Sequence, residues 1–555
     1  MKFRTVLTVL LVTVLTFGWP ITGAAYVIVD PDRSGGSGAQ ARLAIPRAPL
    51  APIVTNGAWP VYHRDNAHTG SDPTLSPASG ATAGWTSAGL DEQVFASPLI
   101  YGGIVYAATL NNTVYALNQS DGSQIWSRNL RVPEPTTAPT PGGCGNVTPQ
   151  GILGTPVVDP GTNRIYVVTL SGVDDHFRLE GLNLLTGIPE MATDISAYAP
   201  TLDWIVQQQR GALAIANGYV YVPFGGRAGD CGNYHGWVFA VPTSGAAIAG
   251  TYVTPGSGAG FWAAGGVVVD DSTGKVFVTS GNGMPPGTGP GGGCSANLDG
   301  TPVFENNAVL RLSATLARED GFVPPDWQSS WCVNDEDLGS ASAVLISPNL
   351  MFQSGKWGTG FLLNPKALGG MGGQLFPPNP YTEVDTCLGN HAGANFGGYA
   401  YAAPFVYLEC EGRGIVALNV NTGTPSFSGC PAGCPLPSWR AGAGITFGPP
   451  IVAAGLVWAA TSGGGLYAFR AGTGAQVFHS ASFAVHRFVT PAEAGGQVFV
   501  PAGSVIKQFV MLFGASQSSP APVPARQPVL PAPGPAAPSR PPVNQSTPAP
   551  TPLGR

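Results

Sequence analysis

The sequence predicts an all-β protein: an eight-bladed β-propeller, preceded by an N-terminal signal or anchor and followed by a disordered proline-rich tail. Three observations predict it. Gly (78) and Pro (54) crowd the 555 residues, punctuation that suits many short strands and few long helices. A strand–turn–strand pattern with an aromatic anchor recurs eight times. An orphan strand ahead of the first repeat supplies what the last repeat lacks.

The chain opens with Lys2 and Arg4, an apolar stretch from Thr5 to Phe17 and small residues at Thr22-Gly23-Ala24. That order reads as an export signal, and residues 1–25 are a signal peptide or, left uncleaved, a membrane anchor. No other stretch is long and apolar enough to span a bilayer. Residues 26–57, rich in Gly, Ala and Pro, read as a flexible spacer. Residues 58–513 hold the repeats. Residues 514–555 are almost wholly Pro, Ala, Ser and Thr, and cannot bury enough apolar surface to offset their ordering entropy.

The clearest repeat begins Ser97-Pro98-Leu99-Ile100-Tyr101-Gly102-Gly103-Ile104-Val105-Tyr106. Its aromatic anchor returns at Tyr166, Tyr221, Phe277, Phe352, Tyr407, Trp458 and Phe499, 41 to 75 residues apart. Multi-strand repeats at such a period mark a propeller or solenoid. A second strand and a turn follow several anchors: Val114 to Asn118 with Asp121-Gly122 and Trp126, Leu182-Asn183 with Thr186-Gly187, Val416 to Asn419 with Thr422-Gly423, and Leu466 to Phe469 with Thr473-Gly474. Alternating apolar residues give the period of strands, and Asp-Gly or Thr-Gly tolerates positive φ at a tight turn. The last unit, Phe488 to Met511, holds three strands. Gly84-Trp85-Thr86-Ser87 is the orphan fourth, so the N-terminal strand is expected to close the ring and remove an exposed edge.

The net charge is −6 and charged residues are 10% of the chain. No Lys/Arg cluster large enough to track a phosphate backbone is present, which argues against nucleic acid. No nucleophile elbow, phosphate-binding loop, zinc-protease helix or haem-attachment motif occurs. Eight cysteines in an exported chain suggest disulfides, with 105 pairings open by count. Cys430 and Cys434 are close enough to close a local loop.

These repeats resemble the pyrroloquinoline-quinone (PQQ) repeat, with its apolar strand, Tyr-Ala-Leu-Asp, Thr-Gly and Trp. The resemblance runs from Trp59 to about Leu512, and Trp59-Pro60-Val61-Tyr62-His63-Arg64-Asp65 is similar to the opening of PQQ-repeat propellers. That superfamily includes dehydrogenases and scaffold proteins. Against the quinoprotein alcohol dehydrogenases, the resemblance implies metal ligands at Asp174 and Asn282, cofactor contacts at Trp262 and Lys356, and catalytic carboxylates at Asp335 and Asp337. PQQ and calcium would then meet on the propeller axis. The chain departs from that pattern. Its one cysteine in Cys144-Gly145-Asn146 stands where the enzymes join two adjacent cysteines, the Arg that follows is missing, and Asp174 replaces a Glu. The expected reading is therefore an exported, non-catalytic binding or scaffold propeller without a cofactor, secreted or surface-anchored, and touching a membrane only through its N-terminus. Its partner would be an extracellular protein, glycan or small ligand; the alternative is a PQQ- and calcium-dependent alcohol dehydrogenase. Similar propellers imply a Cys144–Cys231 disulfide, and Cys294–Cys332 and Cys387–Cys410 are the remaining pairs.

Three further groups stand out. Asp230 and His235 lie in the polar loop Gly229 to Trp237, either a ligand site or a turn held by a disulfide and an aromatic plug. Arg210 either faces the central funnel or pairs with a carboxylate. His391, among small residues, reads as structural.

Overall fold

A computed structural model describes residues 57–135, 145–283, 305–373, 383–387, 394–428 and 438–514. The expected signal, spacer and tail, and also His391, Cys144, Cys294, Cys430 and Cys434, lie outside the described residues. Within them the chain is an eight-bladed β-propeller, with eight sheets of four or five strands. Blade 1 is Leu99–Tyr101, Ile104–Ala108, Thr113–Asn118 and Gln124–Asn129, paired in that order. Later blades repeat the meander. Their first strands begin at Val157, Ala214, Val268, Val344, Ala400, Ile451 and Ala492. These first strands touch in succession from blade 8 through blade 1 to blade 7 and surround the axis.

All eight aromatic anchors fall on second strands and are buried. Burying each such side chain is worth about 1.5–3 kcal/mol. Several also tie neighbouring blades: the Tyr106 hydroxyl donates to Leu184 O (3.2 Å), Tyr221 to Ala314 O (2.9 Å) and Tyr407 to Ala471 O (3.1 Å).

The outer tryptophans make a second set of ties. Trp126 Nε1 donates to Leu184 O in blade 2 at 3.0 Å, and Trp439 Nε1 to Ala471 O in blade 7 at 2.8 Å. Each ring lies flat against the turn glycine of the next blade. At Gly187 a Cβ would stand 2.5 Å from Trp126 Cε3, and φ there is +66°. Glycine is thus required twice over, by backbone and by contact.

Ring closure follows the sequence expectation. The strand Ala78–Thr86 pairs antiparallel with Val505–Phe513 and forms the outer strand of blade 8. Its Trp85 Nε1 donates to Gln119 O of blade 1 at 3.0 Å, the same tie the other tryptophans make.

The segment just before that strand does something the sequence did not suggest: it threads the centre of the ring. Trp59 pairs with Ile100 in blade 1, and Pro60 O accepts from Val158 N in blade 2. The Asn66 side chain donates to Ile215 O in blade 3, while Asn66 O accepts from Val269 N in blade 4. The carbonyls of Ala67, Thr69 and Gly70 then accept from Leu345 N, Tyr401 N and Val452 N in blades 5, 6 and 7. Ser71–Asp72 finally pairs with blade 7 as a parallel strand. The inner edges of first strands would otherwise present unpaired backbone groups, and one short segment satisfies such groups in seven of the eight blades. Its aromatic and basic side chains fill the axis. Tyr62 stacks on His63 at 4.2 Å, and His63 Nδ1 lies 3.0 Å from Tyr399 O. Burial pushes the His63 imidazole down to about 3 and His68 well below the usual range, so both are neutral.

Cys387 and Cys410 form a disulfide within blades 5 and 6, with Cα atoms 5.7 Å apart. Cys231 and Cys332 are disulfide-bonded as well. Among the described residues no helix is long and apolar enough to cross a membrane.

Candidate functional site

The chain reaches each first strand at the same end of the ring, here termed the upper mouth. The residues just ahead of those strands therefore gather around the axis from different blades. Phe95 precedes blade 1, Arg210 blade 3, Trp262 blade 4, Phe396 blade 6 and Phe488 blade 8. Trp262 and Phe396 lie 6.3 Å apart between ring centroids, and Phe396 and Phe488 5.1 Å. They form a continuous aromatic floor. Tyr62 of the threaded segment, with Phe95, Leu153, Arg210 and Phe488, lines a small cavity beside it.

Three cations lie on this floor. Lys356 Nζ is 5.6 Å from the Trp262 ring centre, the Arg487 guanidinium 4.6 Å from Phe396, and the Arg210 guanidinium 4.5 Å from Phe488. Such contacts contribute about 0.5–2 kcal/mol each, more where water is excluded. Arg487 also pairs with Glu411. Arg210 Nη2 reaches only the Arg487 carbonyl, at 3.4 Å, and no carboxylate pairs with it among the described residues. Burial, helped by the charge of Arg487, lowers its pKa to about 10. Of the two readings for Arg210, the structure gives the one facing the funnel.

On the blade 4 and blade 5 side the floor meets an acidic loop. Lys356 Nζ is 2.5 Å from Asp337 Oδ2 and 3.9 Å from Asp335 Oδ2. Asn282 donates its backbone N–H to Asp337 Oδ1 and its Nδ2 to Asp335 Oδ1, both at 2.6 Å. Asn307 locks this corner, donating to Asn282 Oδ1 (3.2 Å) and accepting from Leu338 N (2.8 Å). Burial pulls the Lys356 ammonium down, but Asp337, Asp335 and Asp230 outweigh it and hold its pKa above the ordinary value. Glu336 is pushed up to about 6 by burial and its acidic neighbours, against the pull of Lys356.

The polar loop singled out from sequence overhangs this corner. Tyr234 donates to Asp230 Oδ1 at 2.6 Å, and burial raises the Asp230 carboxyl while Asp337 and Asp335 add to the rise. His235 turns away to Thr254 O at 3.0 Å. Tyr234, packed over Gly226 and Gly260, is the aromatic plug of the structural reading.

Of the six residues taken from the resemblance, five lie together: Trp262, Asn282, Lys356, Asp335 and Asp337. Asp174 does not join them. Its carboxylate is engaged by Arg178, four residues on, beside the Arg178–Asp194 and His176–Asp194 pairs of blade 2. The local string matched a metal-binding segment, but a guanidinium on the following strand claims the carboxylate. Phe396, Phe488, Arg487 and Glu411 escaped the sequence reading. Each is a single residue with no motif around it, and only the ring brings them together.

A calcium ion does not fit this arrangement of residues. Both Asp337 oxygens are taken, one by an ammonium and one by an N–H, and Asp174 is committed elsewhere. Asn282 Oδ1 already accepts from Asn307. A hard cation needs six to eight oxygen ligands, and here a lysine occupies the place of the charge. Among the described residues no three His, Cys or carboxylate side chains are gathered to hold a metal.

The comparisons agree on the architecture. A family model described as outer membrane protein assembly factor BamB matches residues 74–149. Quinohemoprotein alcohol dehydrogenase from Comamonas testosteroni is similar with a TM-score of 0.53 and 16% identity, over 82% of this chain and 80% of that one. The quinohemoprotein alcohol dehydrogenase ADHIIG of Pseudomonas putida HK5 gives 0.55 and 15%, over 84% and 82%. A europium-containing methanol dehydrogenase gives 0.57 and 13%, over 80% and 90%. No curated protein matches in sequence. In fold the chain is a β-propeller like these, and its family match is confined to residues 74–149. Identities this low carry the architecture and leave the activity to the residues.

Proposed function

We propose that this chain is a non-catalytic binding propeller that works outside the cytoplasm and recognises its partner at the upper mouth. The carrying observation is the Lys356–Asp337 pair lying over Trp262. It neutralises from within the protein the carboxylates that a cation would need, and it covers the indole on which a quinone would stack. What remains accessible is the half-buried Phe488 ring with the Arg210 and Arg487 guanidiniums on it. Aromatic and Arg side chains are the groups that anchor protein interfaces. The partner is a protein, glycan or small ligand presenting carboxylate or apolar groups to Arg210, Arg487 and Phe488. The Cys387–Cys410 bond and the bonded Cys231 and Cys332 support an oxidising compartment, secreted or at the cell surface.

The second reading is a PQQ- and calcium-dependent alcohol dehydrogenase. The gathering of Trp262, Asn282, Lys356, Asp335 and Asp337 favours it, and it requires Lys356 to release Asp337. Titration with PQQ and calcium decides between them, read by absorbance and thermal shift on wild type, Trp262→Ala and Asn282→Ala. The binding reading expects no saturable PQQ uptake. Tight uptake lost in both variants, with alcohol-dependent dye reduction, would replace it with the dehydrogenase.

A further inference from the structure

The lower face carries a second concavity that the upper mouth does not use. A groove of about 750 Å³ runs between the exit of the threaded segment and the inner turns of blades 6 and 7. Its walls are Pro73, Leu75, Pro77, Tyr401, Phe405 and Tyr407. Pro73 and Pro77 are exposed, and Leu75, Tyr401 and Phe405 are half-buried. Tyr407 donates its hydroxyl to Ala471 O, whereas the Tyr401 hydroxyl has no hydrogen-bond partner among the described residues. A row of tyrosine, phenylalanine and proline with a free phenolic donor is the chemistry that accepts a polyproline II strand. Such a strand is pre-extended, loses little entropy on docking, and presents unpaired carbonyls to donors.

We propose that the groove holds a segment of this chain's own tail, Pro520–Pro533. The occupant follows from where the chain leads. Phe513, at the end of the last strand, pairs with Ala78, the residue next to Pro77 in the groove wall. From Gly514 to Pro520 the chain spans about 20 Å when extended, so the segment reaches the groove without crossing the ring. Its sequence, Pro520-Ala521-Pro522-Val523-Pro524-Ala525-Arg526-Gln527-Pro528-Val529-Leu530-Pro531-Ala532-Pro533, alternates proline with small and apolar residues. Residues 515–555 contain Arg526, Arg540 and Arg555 and no acidic residue. Tethering supplies an effective concentration of about millimolar, so even a weak groove is filled.

Trypsin tests this on the intact protein. Arg526 is followed by Gln527 and is cleavable, whereas Arg540 precedes Pro541 and is not cut. A docked tail should be cut at Arg526 about tenfold more slowly than a free peptide of residues 515–539, since the tethered site is mostly occupied. Tyr401→Ala should raise the rate towards that of the free peptide. Without any change to the protein, excess 515–539 peptide bearing Arg526→Gln should raise it too, and a scrambled peptide should not. Cleavage of the intact chain at the free-peptide rate, or no response to the competitor, overturns the proposal. Protection that appears only at high protein concentration also overturns it, by placing the tail on a second copy.

Discussion

Replacing Lys356 with Met tests whether the acidic corner is closed from within. The pair is short, 2.5 Å from Nζ to Asp337 Oδ2, with side chains 21% and 10% exposed. Removing one partner of a buried pair costs about 3–5 kcal/mol, mostly because the other charge is left uncompensated. Partial exposure of Lys356 places the expected cost at the lower end, about 3 kcal/mol. A ring of about 450 residues unfolds with roughly 2.1 cal/mol/K per residue, close to 1 kcal/mol/K in all, so Tm should fall by about 3 °C. The double variant Lys356→Met/Asp337→Asn removes the stranded charge and should recover about 2 of those 3 kcal/mol. Calorimetry on the wild type, both single variants and the double variant completes the cycle. If the two single effects simply add, the ion pair holds nothing together there. The reason for excluding a cation from this corner then fails with it.

Two further predictions concern the ring. Between pH 6.5 and 5 the unfolded chain takes up protons on His63 that the folded state, with His63 depressed to about 3, does not. Stability is therefore full above pH 6.5 and falls by about 1.4 kcal/mol per pH unit below it for each buried histidine, down to the folded pKa. His63→Asn should remove about half of the slope that His63 and His68 produce together, measured from urea midpoints; an unchanged slope would show that His63 is not buried neutral. Gly187→Ala should cost about 2–4 kcal/mol, because its Cβ meets the Trp126 ring at 2.5 Å and its φ is +66°. A loss under about 0.5 kcal/mol would mean that the outer tryptophans do not tie the blades.

The blades were legible in the sequence because their signals are local. Tyr106, Tyr166 and Tyr221 mark the middle of a strand, and Asp121-Gly122 or Thr186-Gly187 marks the turn that follows. The place of Trp85 came from counting: blade 8 was one strand short. The threaded segment was not legible. Most of its ties to the blades are backbone hydrogen bonds to residues hundreds of positions away, and these leave no pattern. Nothing in the local sequence marks His63, Arg64 and His68 as buried, and only the ring buries them. The candidate site divides the same way. Trp262, Asn282 and Lys356 sit in short strings that resemble known segments, but the partner that claims Asp174 lies on the next strand. Arg487 and Phe488 acquire meaning only from Arg210 and Phe396, which other blades supply.

The threaded segment also constrains how the protein comes into being. Tyr62 meets Thr490, 428 residues later, and the Asn66, Thr69 and Gly70 contacts need blades 3 to 7 in place. The beginning of the chain must therefore stay extended and unclaimed until almost all of the rest has emerged, and the ring assembles around it as around a spindle. Contacts of this span make assembly slow and leave unfinished edges exposed meanwhile. A ribosome that still holds blade 8 holds a protein without a finished centre.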